Sequence, residues 1–407
     1  MAGKTNIPQV RFSGFDKDWE KQKFDDILEK YEDPVATPHD GYERLGVRSH
    51  VKGTFHSYVA PGAELETAQM HRVAANKLLF NITFAWEHAV AVTDEDDAGK
   101  LVSHRFPQFT FASEMDPKFF RYVVADNKFR YHLWLSSPGG AGRNRVLSIP
   151  EMMEFQTYLP EKREQTQLSN WFLNLDNLIA QHESKLKKLQ ELKSSMLEKM
   201  FPKNDAEIPE MRFQGFVGVW SKTELCQIAY KVTEKNVQNL VSETFTNSAE
   251  HGVISQRDFF DHDISNSEKI NGYYIVQDND FVYNPRISVT APCGPINRNR
   301  LGRKGVMSPL YTVFRTHDID PLYLEWYFKS PHWYAYMRFI GDSGARSDRF
   351  SIKNELFFQM PIPLPDIREQ HKIGQALQAI SDYIKLQQKE LNKLQSLKKG
   401  LLEKMFV

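Results

Sequence analysis

The chain says nearly the same thing twice. Residues 7–19 read IPQVRFSGFDKDW and residues 208–220 read IPEMRFQGFVGVW. Residues 186–201, LKKLQELKSSMLEKMF, return at 391–406 as LNKLQSLKKGLLEKMF. A period of roughly 200 residues is far longer than a solenoid unit of about 20–50 residues. It is the length of a whole domain plus a connector. The chain must therefore fold as one construction made twice. Four blocks follow: a mixed, aromatic-rich lobe at 1–158, a helical block at 159–201, a linker and second lobe at 202–363, and a second helical block at 364–407. Pro202 stops the first helix and opens the polar link PKNDAE.

The helical blocks carry a heptad seam. Steps of four and three select Leu168, Phe172, Leu175, Ile179, His182, Leu186, Leu189, Lys193, Met196 and Met200 in the first. The same register selects Ile373, Leu377, Ile380, Ile384, Gln387, Leu391, Leu394, Lys398, Leu401 and Met405 in the second. Such a pattern predicts a coiled coil. Polar residues interrupt both seams at matching places, His182 with Gln387 and Lys193 with Lys398. His182 and Gln387 either face water or fix register as buried polar residues can. Leu192 and Leu397 stand beside the lysines and are expected to take over the seam there. At 1.5 Å per residue, helices of about 40 residues reach about 60 Å, more than one small domain needs. If the second helix pairs with the first it must run back, so the expectation is an antiparallel pair with the lobes related by an approximate two-fold axis.

The lobes are diverged copies. LVSHRFPQF (101–109) parallels VMSPLYTVF (306–314), DPKFFRYVV (116–124) parallels DPLYLEWYF (320–328), and AGRNRVLSI (141–149) parallels GARSDRFSI (344–352). Alternating runs such as GYYIVQDNDFVY (272–283) read as strands. The segments after Asp116 and Asp320 read as helices opened by an Asp cap and a Pro at the first turn. Each lobe is predicted to be α/β or α+β.

Catalytic constellations are missing. There is no phosphate-binding loop ending in Lys-Ser/Thr. Gly139, Gly140 and Gly142 match a dinucleotide loop only superficially. Asn284-Pro285 is followed by Arg286 where a methyltransferase loop would place a second proline. Cys226 and Cys293 are too isolated for zinc and too few for a disulfide framework. The run Asp94, Glu95, Asp96, Asp97 reads as a solvated loop. No stretch suits a bilayer or a signal peptide, so the expected location is cytoplasmic.

Basic patches are present although the net charge is zero. Between Phe281 and His317 there is no Asp or Glu, yet Arg286, Arg298, Arg300, Arg303, Lys304 and Arg315 fall there. Glycine–arginine loops occur at equivalent places, with Arg143 and Arg145 in the first lobe and Arg346 and Arg349 in the second. Glycine admits close backbone approach, and a guanidinium offers forked donors to phosphate or to guanine. The candidate DNA-binding residues are therefore Arg143, Arg145, Arg298, Arg300, Arg303, Lys304, Arg346 and Arg349. Pairing with surface carboxylates is the competing role for them.

With these motifs assembled, the chain resembles the specificity subunit of type I restriction–modification systems. The resemblance rests on the IPxxRFxGFxxxW opening in both halves, the LPxxREQ entry to each helix (159–165 and 364–370), and the LEKMF ending of each. It implies two target recognition domains, each reading half of a bipartite asymmetric site on double-stranded DNA. It implies that the paired helices act as spacer and as a docking surface for two modification subunits. S-adenosylmethionine, ATP and Mg chemistry would then lie in modification and restriction partner chains, and this chain would be no enzyme. Ser381 stands where the first helix has Asp176, which puts equivalence of the two partner contacts in doubt. The alternatives are a coiled-coil scaffold without a DNA role, or a fused methyltransferase.

Overall fold

The computed structural model describes residues 6–64, 69–139, 145–203, 206–259, 267–341 and 348–406. The chain divides into two compact units: residues 1–182 with 390–407, and residues 183–389. The second unit is thus an insertion within the first.

Each unit is built around a four-stranded antiparallel sheet of short strands. In the first unit these are β1 (Leu28–Tyr31), β2 (Lys77–Phe80), β3 (Val90–Val92) and β4 (Gln108–Phe111), in the order β1-β4-β2-β3. In the second unit they are β5 (Ala229–Lys231), β6 (Phe281–Tyr283), β7 (Ile296–Arg298) and β8 (Thr312–Thr316), in the order β5-β8-β6-β7. The two orders are the same. Strands this short cannot hold a sheet alone. An aromatic layer covers one face of each: Phe80, Phe109, Phe120 and Phe129 in the first, Phe281, Phe314, Phe328 and Phe357 in the second.

The Asp-Pro helices form as their sequences require. α1 (Pro117–Val123) is capped by Asp116, which accepts from Lys118 N at 2.9 Å. α3 (Pro321–Lys329) is capped by Asp320, which accepts from Leu322 N at 2.8 Å. A two-stranded ribbon ties the entry of each lobe to its exit, Glu20 opposite Leu159 and Ser221 opposite Leu364. The second layers follow one order in both lobes and differ in how far the strands pair. The first unit has a five-stranded sheet made from segments between Pro34 and Ser103. In the second unit two two-stranded sheets occupy the corresponding part of the chain, joined by the parallel bridge Thr244–Val306 and edged by the bridge Lys235–Tyr274, as Arg44–Leu101 and Pro34–His71 do in the first.

α2 (Lys162–Lys199) and α4 (Ile367–Met405) are the long helices. Their ends lie inside the lobe cores. Leu168, Phe172 and Met405 belong to the first core, and Met200, Phe201, Ile373 and Leu377 to the second. Along the seam Leu175, Leu186 and Leu391 are buried, while Ile179, Leu189, Ile380, Ile384 and Leu394 are half-buried. No helix among the described residues is long and apolar enough to cross a membrane.

Two expectations need correction. Leu192 and Leu397 do not enter the seam; they are 48% and 50% exposed. The lysines keep their heptad places, because a four-carbon stem covers apolar surface while its head finds a partner. The acidic run is not simply a solvated loop either. Asp97 is buried and holds His56 Nε2 at 2.8 Å, and Asp94 pairs with Arg121 at 3.1 Å.

Candidate nucleic-acid interface

A frame repeated residue for residue positions each lobe. Arg11 donates twice to Glu164, at 2.7 and 2.6 Å, and Arg212 donates twice to Glu369, at 2.7 and 2.8 Å. Both glutamates are buried, so each fork supplies the counter-charge that burial demands. Gln165 accepts from Asp116 N at 2.9 Å and donates to Pro160 O at 2.8 Å. Gln370 does the same with Asp320 N and Pro365 O, at 2.9 Å each. The REQ tripeptide thus carries one residue that locks the opening motif and one that locks the Asp-Pro helix. Val10 N donates to Lys404 O at 3.0 Å and Met211 N to Lys199 O at 2.8 Å. The opening motif of each half therefore grips the last turn of the helix made by the other half. The sequence marks these residues as motifs without a role; their identity in both halves is the signal.

The seam lysines show where the halves part. In the first unit Lys398 is ion-paired with Asp176, whose other oxygen accepts from Tyr122 OH at 2.9 Å. In the second unit Lys193 donates to Ser381 Oγ at 3.0 Å and lies 4.9 Å from the Trp326 ring centre. Trp326 replaces Tyr122 and Ser381 replaces Asp176: without a phenol to satisfy, the carboxylate is dispensable. Burial then pushes the Lys193 ammonium below its usual range, helped by Lys385 and opposed by Asp382. His182 Nδ1 and Gln387 Oε1 are buried with no hydrogen-bond partner among the described residues. The lysines, by contrast, make polar contacts from one long helix to the other.

The predicted arginines separate into two groups. Arg298 and Arg300 both reach Glu325 Oε2, at 2.8 and 2.7 Å. Arg303 forks onto Glu243 at 2.8 and 2.7 Å and also meets Asp258 at 3.2 Å. Arg315 forks onto buried Asp280 at 2.7 and 2.9 Å. These side chains brace the lobe. The first lobe has the same brace with its charges exchanged, Arg121 of α1 standing where α3 has Glu325. Arg145 lies 4.6 Å from the Trp134 ring centre. Arg143 and Arg346 lie outside the described residues. Lys304 is exposed and has no ion-pair partner among the described residues.

Arg349 has a neighbour that spacing alone did not reveal. Phe350 N donates to Pro285 O at 2.8 Å and Ile287 N to Asp348 O at 3.0 Å, which sets Arg286 directly opposite Arg349. The two arginines flank a cavity of about 340 Å³ whose wall includes Thr246, Ser248, Ser288 and Tyr311. An amide chain stiffens it. Asn247 donates to Val282 O at 2.7 Å and Pro295 O at 3.1 Å, and accepts from Asn297 at 2.7 Å. Asn284 donates to Asn247 O at 2.9 Å and accepts from Arg286 N at 3.0 Å. Lys329, its ammonium lowered by burial, donates to Asn297. Among the described residues no group of three or more His, Cys, Asp or Glu side chains is placed to hold a metal ion.

No family model matches the chain. The type I restriction enzyme MjaX specificity subunit assigned in Methanocaldococcus jannaschii is 21% identical, over 98% of this chain and 95% of that protein. The chain resembles type I restriction specificity subunits along its whole length. The specificity-subunit fold is shared too. The type I restriction–modification S subunit of M. genitalium superposes with a TM-score of 0.58 at 11% identity, covering 98% of this chain and 99% of that one. The HsdS subunit of Thermoanaerobacter tengcongensis gives a TM-score of 0.47 at 14% identity, covering 96% and 97%.

Proposed function

We propose that the chain is the DNA-recognising specificity subunit of a type I restriction–modification complex. Each lobe reads one half of a bipartite, asymmetric site on double-stranded DNA. Methyl transfer from S-adenosylmethionine belongs to modification partners, and ATP- and Mg-dependent translocation and cleavage to restriction partners. The observation that carries this reading is the contrast between frame and lobe. The contacts of Arg11, Glu164 and Gln165 recur at Arg212, Glu369 and Gln370, whereas the lobe sequences they carry have diverged. Identical mounts with different faces suit a reader of two unlike half-sites. Tying the two readers together makes the second engagement intramolecular, which raises affinity beyond either lobe alone. Mapping methylated adenines in host DNA with and without this chain tests the reading. A split motif that vanishes without the chain supports it; a single uninterrupted motif, or no dependence, overturns it.

The helices favour two copies of one partner. Leu178 and Leu397 in the first unit, and Leu192 and Tyr383 in the second, are 40%, 50%, 48% and 38% exposed. All four hold the heptad position just before a seam residue. Leu178 matches Tyr383 and Leu192 matches Leu397 in the repeat, so each unit carries one apolar pair drawn from both helices. Single exposed apolar residues need no explanation, but a repeated set at one heptad position marks a contact surface. With Leu178→Glu and Leu397→Glu together, native mass spectrometry is expected to show one bound modification subunit instead of two. Retention of both copies would rule this surface out.

A further inference from the structure

We infer that the cavity between Arg286 and Arg349 is a phosphate seat, where the second lobe holds a backbone phosphodiester of double-stranded DNA. The inference rests on the DNA-recognition reading above and adds a site and a role to it. Of the arginines between Phe281 and His317, Arg298, Arg300, Arg303 and Arg315 are neutralised by carboxylates. Among the described residues no carboxylate pairs with Arg286 or Arg349, and no Asp or Glu lines the cavity they share.

Their placement is costly without a ligand. The flanking bonds, Phe350 N to Pro285 O and Ile287 N to Asp348 O, make Arg286 and Arg349 a non-hydrogen-bonded antiparallel pair. That is the closer of the two pair types, with Cα atoms about 4.5 Å apart and side chains on one face. Like charges directly opposite each other destabilise such a pair. An anion between them reverses the sign of that interaction and accepts forked bonds from both guanidinium groups.

The amides of the cavity argue for a phosphate over a base edge. Reading adenine takes a free carboxamide that can both donate and accept. Asn247 has both its N–H groups and its carbonyl committed within the lobe, and Asn284 is bound through both of its polar atoms. The amides therefore stiffen the seat. The Ser288 hydroxyl accepts from Ala291 N at 3.1 Å and the Tyr311 hydroxyl meets Thr246 Oγ1 at 3.1 Å, so the two guanidinium groups are what meets the ligand, and forked donors suit a tetrahedral oxyanion. Contacts of this kind fix position and register on the duplex without carrying sequence.

The test uses the full chain assembled with its modification partners. Affinity is measured across a salt series for the cognate duplex and for duplexes with single base-pair changes in each half-site. For the Arg286→Ala, Arg349→Ala double variant, the slope of log affinity against log salt should fall by about one unit for the lost phosphate contact. Affinity should drop on the order of ten-fold at physiological salt, equally for cognate and altered sites. The Arg286→Lys, Arg349→Lys variant keeps the charges and should restore the slope. It also serves if the alanine variant fails to assemble. An unchanged slope and affinity, with the unaltered complex binding its split site normally, would overturn the seat and leave the DNA-recognition reading standing. So would a loss confined to one base pair, which would make the arginines base readers. Failure of the unaltered complex to bind DNA at all would remove both.

Discussion

A single exchange, Asp176 for Ser381, shows how closely a residue is tied to its partners. The exchange is visible in the repeat, but its cause is not, because Tyr122 and Trp326 lie about 55 residues away in each half. Lys398 and Lys193 should respond differently to loss of charge. Lys398→Met leaves Asp176 without its cation and is expected to cost about 1–3 kcal/mol in urea unfolding. Lys193→Met removes a desolvated charge that no carboxylate pairs, and should change stability by less than about 1 kcal/mol. His88 supplies a pH dependence. It is buried, and a ring nitrogen lies 2.6 Å from Val124 O. Burial lowers its pKa from the usual 6.5, with Arg130 and His50 adding to the shift and the Val124 carbonyl opposing it. The unfolded chain therefore takes up a proton before the folded chain does. Stability contributed by His88 is complete above about pH 6.5 and is lost as pH falls below that value. Melting temperatures from pH 7.5 to 5.5 should fall less steeply in His88→Gln than in the unaltered chain.

At the scale of elements, what was legible followed from local pattern. The heptad steps located both long helices, and the Asp-Pro pairs located α1 and α3, because capping and periodicity act within one or two turns. Hydrophobicity favours Leu192 and Leu397 for the seam, but helix phase keeps the lysines there and leaves the leucines exposed. Sheet order was not legible: strands of three to five residues leave little pattern, and their partners are distant in sequence. The role of the LEKMF endings also escaped, because it is a tertiary contact. Phe201 packs against Tyr323 and Tyr327, with ring centres 5.6 Å away in each case. Phe406 meets Phe119 at 5.3 Å and Trp19 at 6.1 Å. Phe201→Ala, at a fully buried site, should cost about 3–5 kcal/mol. Arg212→Ala leaves Glu369 buried and unpaired and should cost about the same. Both losses can be read from denaturation of the full chain, and an unchanged midpoint in either would refute the anchoring role.

For the whole molecule, the frame was more legible than the interface. Repetition exposed the frame, since the same contacts had to be encoded twice. The interface gave a composition signal, a stretch rich in arginine, but not which of those arginines the fold had already consumed. Arg298, Arg300 and Arg303 brace the lobe, so Arg298→Ala is expected to reduce stability more than it alters DNA selectivity, a split that parallel unfolding and binding measurements would reveal. The insertion of one unit within the other bears on how the chain is made. Residues 183–389 are contiguous and can assemble as they leave the ribosome. The first unit must wait: Trp19, Phe119 and Phe172 stay uncovered until Met405 and Phe406 arrive, more than 200 residues later. The half translated first is completed last, and for most of synthesis its aromatic core is the part of the chain most exposed to aggregation and most in need of a chaperone.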